Sequence, residues 1–100
     1  DENPADLESL SNIIKSKQLR AMIVDDIPFN HHILTKFFTR LGIRVVDIAV
    51  NGMDAYEKYV ASSETENRPH IVAMDIDMPI MNGKEASRKI REYEVSRDLL

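Results

Sequence analysis

Acidic residues close two of the most apolar runs in the chain, and their type and spacing could support chemistry. His70-Ile71-Val72-Ala73-Met74 leads into Asp75, and Asp77, Met78-Pro79 and Asn82-Gly83 follow at once. Ala21-Met22-Ile23-Val24 leads likewise into Asp25-Asp26. An apolar run this short, bounded by Pro69 and by Pro79 with Gly83, predicts a strand buried on both faces. Asp75 then sits at the strand's carboxyl end, where open α/β sheets bind ligands. If the two strands are neighbours, three carboxylates converge at one edge of the sheet. Like charges ~4 Å apart repel by about 4 kcal/mol at an effective dielectric near 20. Such a site protonates one acid or takes up a cation. Hard oxygen ligands with no adjacent His or Cys favour Mg²⁺, which keeps waters for a phosphate group. A carboxylate beside Mg²⁺ can attack a phosphoryl donor and form an aspartyl phosphate. The plainer reading is helix capping, for which Asp is common in strand-helix turns. Asp26 or Asp77 alone would imply no more than that; two acids, each closing an apolar run, point further.

The elements that must position these acids alternate along the chain. In the first stretch Asn3 can cap, Pro4 suits a first helical position, and Leu7, Leu10, Ile13 and Ile14 recur at helical spacing. Residues 1–19 thus predict a leading amphipathic helix or linker, with too few heptads for a coiled coil. After the first strand, Ile33, Leu34, Phe37, Phe38 and Leu41 define one apolar helix face, and Gly42 supplies a stop. His31 and His32 lie near its start, about 100° apart around the axis, and so do not readily share a metal. They predict a solvated face or a partner contact. Val45 to Val50 is a second strand, and Asp47 within it suits an edge. Asn51-Gly52 turns into a short helix marked by Ala55, Tyr56, Tyr59 and Val60. Residues 62–68 read as a polar surface connector. A third helix follows Gly83, with Ala86, Ile90 and Tyr93 inward and Lys84, Glu85, Arg88, Lys89, Arg91 and Glu92 facing water. Glu85 with Lys89, and Arg88 with Glu92, are expected neighbour pairs. A helix followed by three strand-helix units implies a parallel sheet with helices on both faces.

Composition narrows the function classes. One hundred residues, 43% hydrophobic and 30% charged, suit one ordinary globular domain. The formal net charge is −4, and the thirteen Lys and Arg are scattered among acids, so there is no nucleic-acid footprint. The absence of cysteine removes disulfides, thiol chemistry and cysteine-based zinc sites. No apolar stretch is long enough to span a membrane, and the acidic start does not resemble a signal peptide. A cytoplasmic domain is the expectation.

Val24-Asp25-Asp26, Asn30 in the following helix, Leu41-Gly42 at its end and Ala49-Val50-Asn51-Gly52 together resemble a response-regulator receiver domain. The segment from Met74 to Gly83 is similar to the one that carries that family's phosphoacceptor. The resemblance runs from about Arg20 to Tyr93, with a flavour of receivers attached to hybrid histidine kinases. It implies a flavodoxin-like doubly wound parallel sheet of order 2-1-3-4-5, in which the first and third strands are adjacent. It implies that Asp75 accepts phosphate from a phosphohistidine, in a transfer the domain itself catalyses, and that Asp25 and Asp26 hold Mg²⁺. Asp77 matches the position whose backbone carbonyl completes the metal shell, and Pro79 and Gly83 match the turn that shapes the loop. The implied partner is a histidine kinase or a histidine phosphotransfer protein. Asn82 stands where the family more often has Asp. Residues 20–100 would be a partial receiver, without the fourth and fifth strand-helix units that supply a phosphate-sensing Ser or Thr and a Lys; Lys84 and Lys89 do not match that Lys. The unpaired edge of the third strand, like the leading helix, could then support association.

Two other functions compete. Asp75-x-Asp77 is similar to the Asp-x-Asp signature of haloacid-dehalogenase-like phosphatases, but Pro79 stands where that family has Thr or Val, and the motif normally follows the first strand. A phosphorylation-independent, receiver-like interaction module is the third possibility, against which the complete acidic set argues.

Overall fold

The computed structural model describes residues 4–75, 78 and 80–99. Their order is α1 (Pro4–Lys17), β1 (Arg20–Val24), α2 (Pro28–Leu41), β2 (Arg44–Ala49), α3 (Gly52–Ser62), β3 (Ile71–Met74) and α4 (Gly83–Ser96). The three strands form one sheet of order β2-β1-β3, and both pairings are parallel.

Strand β1 is the hub because every second residue of a strand faces the same way. Ala21 and Ile23 point to one face, where Phe38 of α2 and Ile43 complete a buried cluster. Met22 and Val24 point to the other, against Ala49, Ala55 and Tyr59 of α3, Met78 and Ile90 of α4. Leu19 and Ile14 of α1 add partly buried area to the first face. Asp47 lies on an edge strand as its charge predicts, opposite Met22 across a register shift that leaves Val46 unpaired. Lys58 bridges that edge, donating to the Ile48 carbonyl at 2.6 Å beside Asp54 and Asp47.

Local chemistry sets the helix ends. Helix α2 closes in a Schellman arrangement: Gly42 N–H donates to the Thr39 carbonyl and Ile43 N–H to the Phe38 carbonyl, with Gly42 at φ 83°. Asn51 and Asn82 cap α3 and α4, their side chains accepting from Asp54 N–H and Glu85 N–H at 2.8 and 2.9 Å. The Asn3 cap lies outside the described residues.

Four expectations need correction. Strand β3 is only partly buried along its whole length rather than buried on both faces, since it has one neighbour among the described strands. The apolar face of α2 is narrower than its sequence suggests: Leu34, Phe38 and Leu41 pack inward, whereas Ile33 and Phe37 are exposed. The segment 62–68 is no bland connector. Ser63 is buried and bonded to the Tyr93 hydroxyl at 2.9 Å, and Arg68 reaches the Tyr59 hydroxyl, Glu94 and the Leu99 carbonyl. Of the expected pairs on α4, Arg88 meets Glu92 at 3.9 Å, while Lys89 lies over the Tyr56 ring instead.

Candidate functional site

The register of the sheet brings the acids together. Val24 pairs with Met74, and the next residues continue the ladder: Asp75 N–H donates to the Val24 carbonyl at 3.0 Å, and Asp25 N–H to the Ala49 carbonyl at 3.1 Å. Asp25 and Asp75 therefore stand at the carboxyl ends of adjacent parallel strands. Asp26 follows where the chain turns toward α2. Asp25, Asp26 and Asp75 each offer an oxygen, and these atoms all lie within 4.8 Å of one another. At that separation each pair of unit charges repels by about 3–4 kcal/mol at an effective dielectric near 20.

The three acids are not equivalent. Asp25 is buried, and a buried carboxylate must have its oxygens satisfied. Its Oδ1 accepts from Ile27 N–H at 2.9 Å, an Asx-type turn that leads the chain into α2. Its Oδ2 accepts from Asn30 Nδ2 at 3.0 Å. Its backbone carbonyl accepts from His31 Nε2. One turn of α2 thus fixes both ends of the residue. Asp26 and Asp75 have no such restraint among the described residues, and both reach solvent. His31 is therefore a positioning contact rather than part of a solvated face, while His32 is exposed.

Sequence reasoning passes over the roles of Asn30 and His31. Their signal is spacing: five and six residues after a strand-end Asp, the first turn of the next helix comes back beneath that Asp. Asp77 and Pro79 lie outside the described residues, so the backbone-carbonyl ligand expected at Asp77 does too.

An all-oxygen donor set fits a hard divalent cation. One ligand is held rigid, two are free to adjust, and two or three carboxylates leave room for waters, as Mg²⁺ requires. The loop beyond Asp75 is anchored on both sides: Met78 and Met81 are buried, and Gly52 N–H donates to the Met81 carbonyl at 3.0 Å.

Residues 21–98 match the response regulator receiver domain family. The chain belongs to this family. It is 40% identical over 88 residues to two-component response regulator 24 of Arabidopsis thaliana, covering 88% of this chain and 59% of that protein. A receiver in the CheX-CheY-BeF3-Mg²⁺ complex of Borrelia burgdorferi superposes with a TM-score of 0.71 at 34% identity, over 77% of this chain and 55% of that one. The receiver domain of Saccharomyces cerevisiae Ssk1, crystallised with the histidine phosphotransfer protein Ypd1, superposes at 0.69 with 28% identity, over 81% and 52%. This receiver chain thus spans somewhat more than half the length of the proteins it matches. The matches also disfavour the Asp-x-Asp phosphatase reading, as does the position of Asp75 after the third strand of the sheet.

Proposed function

We propose that this receiver accepts a phosphoryl group from a phosphohistidine onto Asp75. The observation that carries the reading is the convergence of Asp25, Asp26 and Asp75 at the carboxyl edge of β1 and β3. An Asp75 carboxylate oxygen attacks phosphorus, the P–N bond breaks, and the imidazole departs with the electron pair and its remaining proton. The product is an acyl phosphate on Asp75. Asp25 and Asp26, with the second Asp75 oxygen, would hold Mg²⁺, which when bound offsets charge on the phosphoryl oxygens. Asn30 and Ile27 N–H hold Asp25 in place for that task. Aspartyl phosphate adds charge and acceptor oxygens at one edge of the sheet, and this changes which partner surfaces fit there.

The donor class is a histidine kinase or a histidine phosphotransfer protein, in keeping with the Ypd1 partner of the yeast relative. Residues 20–100 form the receiver unit in this reading, and 1–19 lead into it. The test is labelling by phosphoramidate with Mg²⁺. The parent should incorporate acid-stable, base-labile phosphate, and Asp75→Asn should not. An Asp75→Asn protein that labels as well as the parent would overturn the assignment.

A further inference from the structure

Ile80 occupies the left-handed region at φ 71° and is 81% exposed. A β-branched side chain is unfavourable in that region, and exposed apolar area adds nothing to folding. The conformation is imposed by its surroundings: Met78 and Met81 are buried on either side, and the Met81 carbonyl is bonded to Gly52 N–H. Strain of this kind persists where the fold over-determines it, and it concentrates at sites of function.

Ile80 has company. Ile27 and Phe29 follow Asp25 and Asp26, and Val50 follows Ala49, whose carbonyl is bonded to Asp25; all three are half or more exposed. Isolated surface hydrophobics need no explanation. These four sit on the three connections that leave the carboxyl end of the sheet, around a cluster of carboxylates. A metal ion or a free phosphate has no use for such a rim.

We infer that Ile80, with Ile27, Phe29 and Val50, forms an apolar collar that a phosphohistidine-bearing protein covers when it reaches Asp75. The inference rests on the phosphoacceptor reading and goes beyond it by naming the surface that admits a protein donor. Reacting atoms must come within about 3–3.5 Å. An imidazole carried on a protein brings its supporting surface against all three connections at that distance. Burying the collar supplies binding energy and excludes water from the transfer. A small donor gains neither.

The test compares two donors on the full chain. Ile80→Gly and Ile80→Asn suit positive φ, so both should fold and raise the thermal midpoint by a few degrees. Labelling by phosphoramidate should stay within about twofold of the parent. Transfer from a phosphotransfer protein of the same organism, labelled on its histidine, should fall by about tenfold or more. Ile80→Leu should retain most of that transfer. Equal rates with the protein donor in all variants would overturn the inference, as would parallel losses with both donors. A parent that labels with phosphoramidate but takes phosphate from none of that organism's phosphotransfer proteins would also overturn it. A parent that fails to label with phosphoramidate would instead overturn the phosphoacceptor reading beneath it.

Discussion

Gly52 N–H donates to the Met81 carbonyl at 3.0 Å and thereby ties the start of α3 to the loop that follows the acidic cluster. The approach is so close that a Cβ on Gly52 would overlap the same carbonyl oxygen. Because the obstacle is backbone, it cannot swing aside as a side chain tip can. Gly52→Ala should therefore cost about 1–3 kcal/mol, the usual range for overpacking a tight contact. A lowered urea midpoint with an unchanged m-value would show it. A variant as stable as the parent would mean that the loop yields.

Much of this architecture is legible in the amino-acid order. Short apolar runs ending in acid, separated by helical periodicity, imply parallel strands with Asp25 and Asp75 at neighbouring ends, and Asp47 marks an edge. What escapes is set by tertiary pairing. The apolar pattern of α2 makes Ile33 and Phe37 look like core residues, yet only part of that face meets β1, because a single sheet surface is narrower than the stripe. Glu94 reads as one more charge on a solvated helix. Its burial depends on Tyr59 and Arg68, 35 and 26 positions earlier in the chain, and no local pattern reports that. Asn30 is visible as a motif residue, but its bond to Asp25 exists only once the turn into α2 is formed.

The α2 face offers a direct comparison. Phe38 is 8% exposed and packs with Ala21, Ile23 and Ile43, whereas its neighbour Phe37 is 55% exposed. Phe38→Ala should cost about 3–5 kcal/mol, the range for a large core deletion. Phe37→Ala should stay within about 0.5 kcal/mol of the parent. Denaturant melts of the two variants decide the matter. Equal losses would mean that Phe37 is buried in solution.

At the acidic cluster, Asn30 acts on the cation through Asp25 rather than touching it. Removing its amide leaves Asp25 Oδ2 without its donor. Asn30→Ala should weaken Mg²⁺ binding by about tenfold, the lower end for loss of a contact that orients a ligand. Asp26→Asn, which removes a charged ligand, should weaken it at least as much. Isothermal titration with MgCl₂ reads both. Unaltered affinity in Asn30→Ala would mean that the Ile27 N–H alone orients Asp25.

Away from the site, Tyr59 and Glu94 join α3 to α4 by a 2.6 Å hydrogen bond in which the phenol donates. Glu94 is 6% exposed, with Arg91 at 2.9 Å and Arg68 at 3.8 Å to satisfy its charge. Burial, and then the bond to Glu94, raise the Tyr59 hydroxyl above its ordinary value of 10.0, outweighing the lowering effect of Arg68. The folded state thus holds the phenolic proton more tightly than the unfolded chain does. This stabilisation is fully present below about pH 10 and declines as pH rises from there through the folded value. Tyr59→Phe should remove that part of the alkaline decline. At neutral pH it should cost about 1–2 kcal/mol, because Glu94 loses a donor while both arginines remain. Urea melts from pH 8 to 11 on the parent and on Tyr59→Phe test the slope. A double-mutant cycle with Glu94→Gln should return a coupling of about 0.5–3 kcal/mol. A coupling near zero, with identical alkaline slopes, would mean that the phenol and the carboxylate do not share a proton bond in solution.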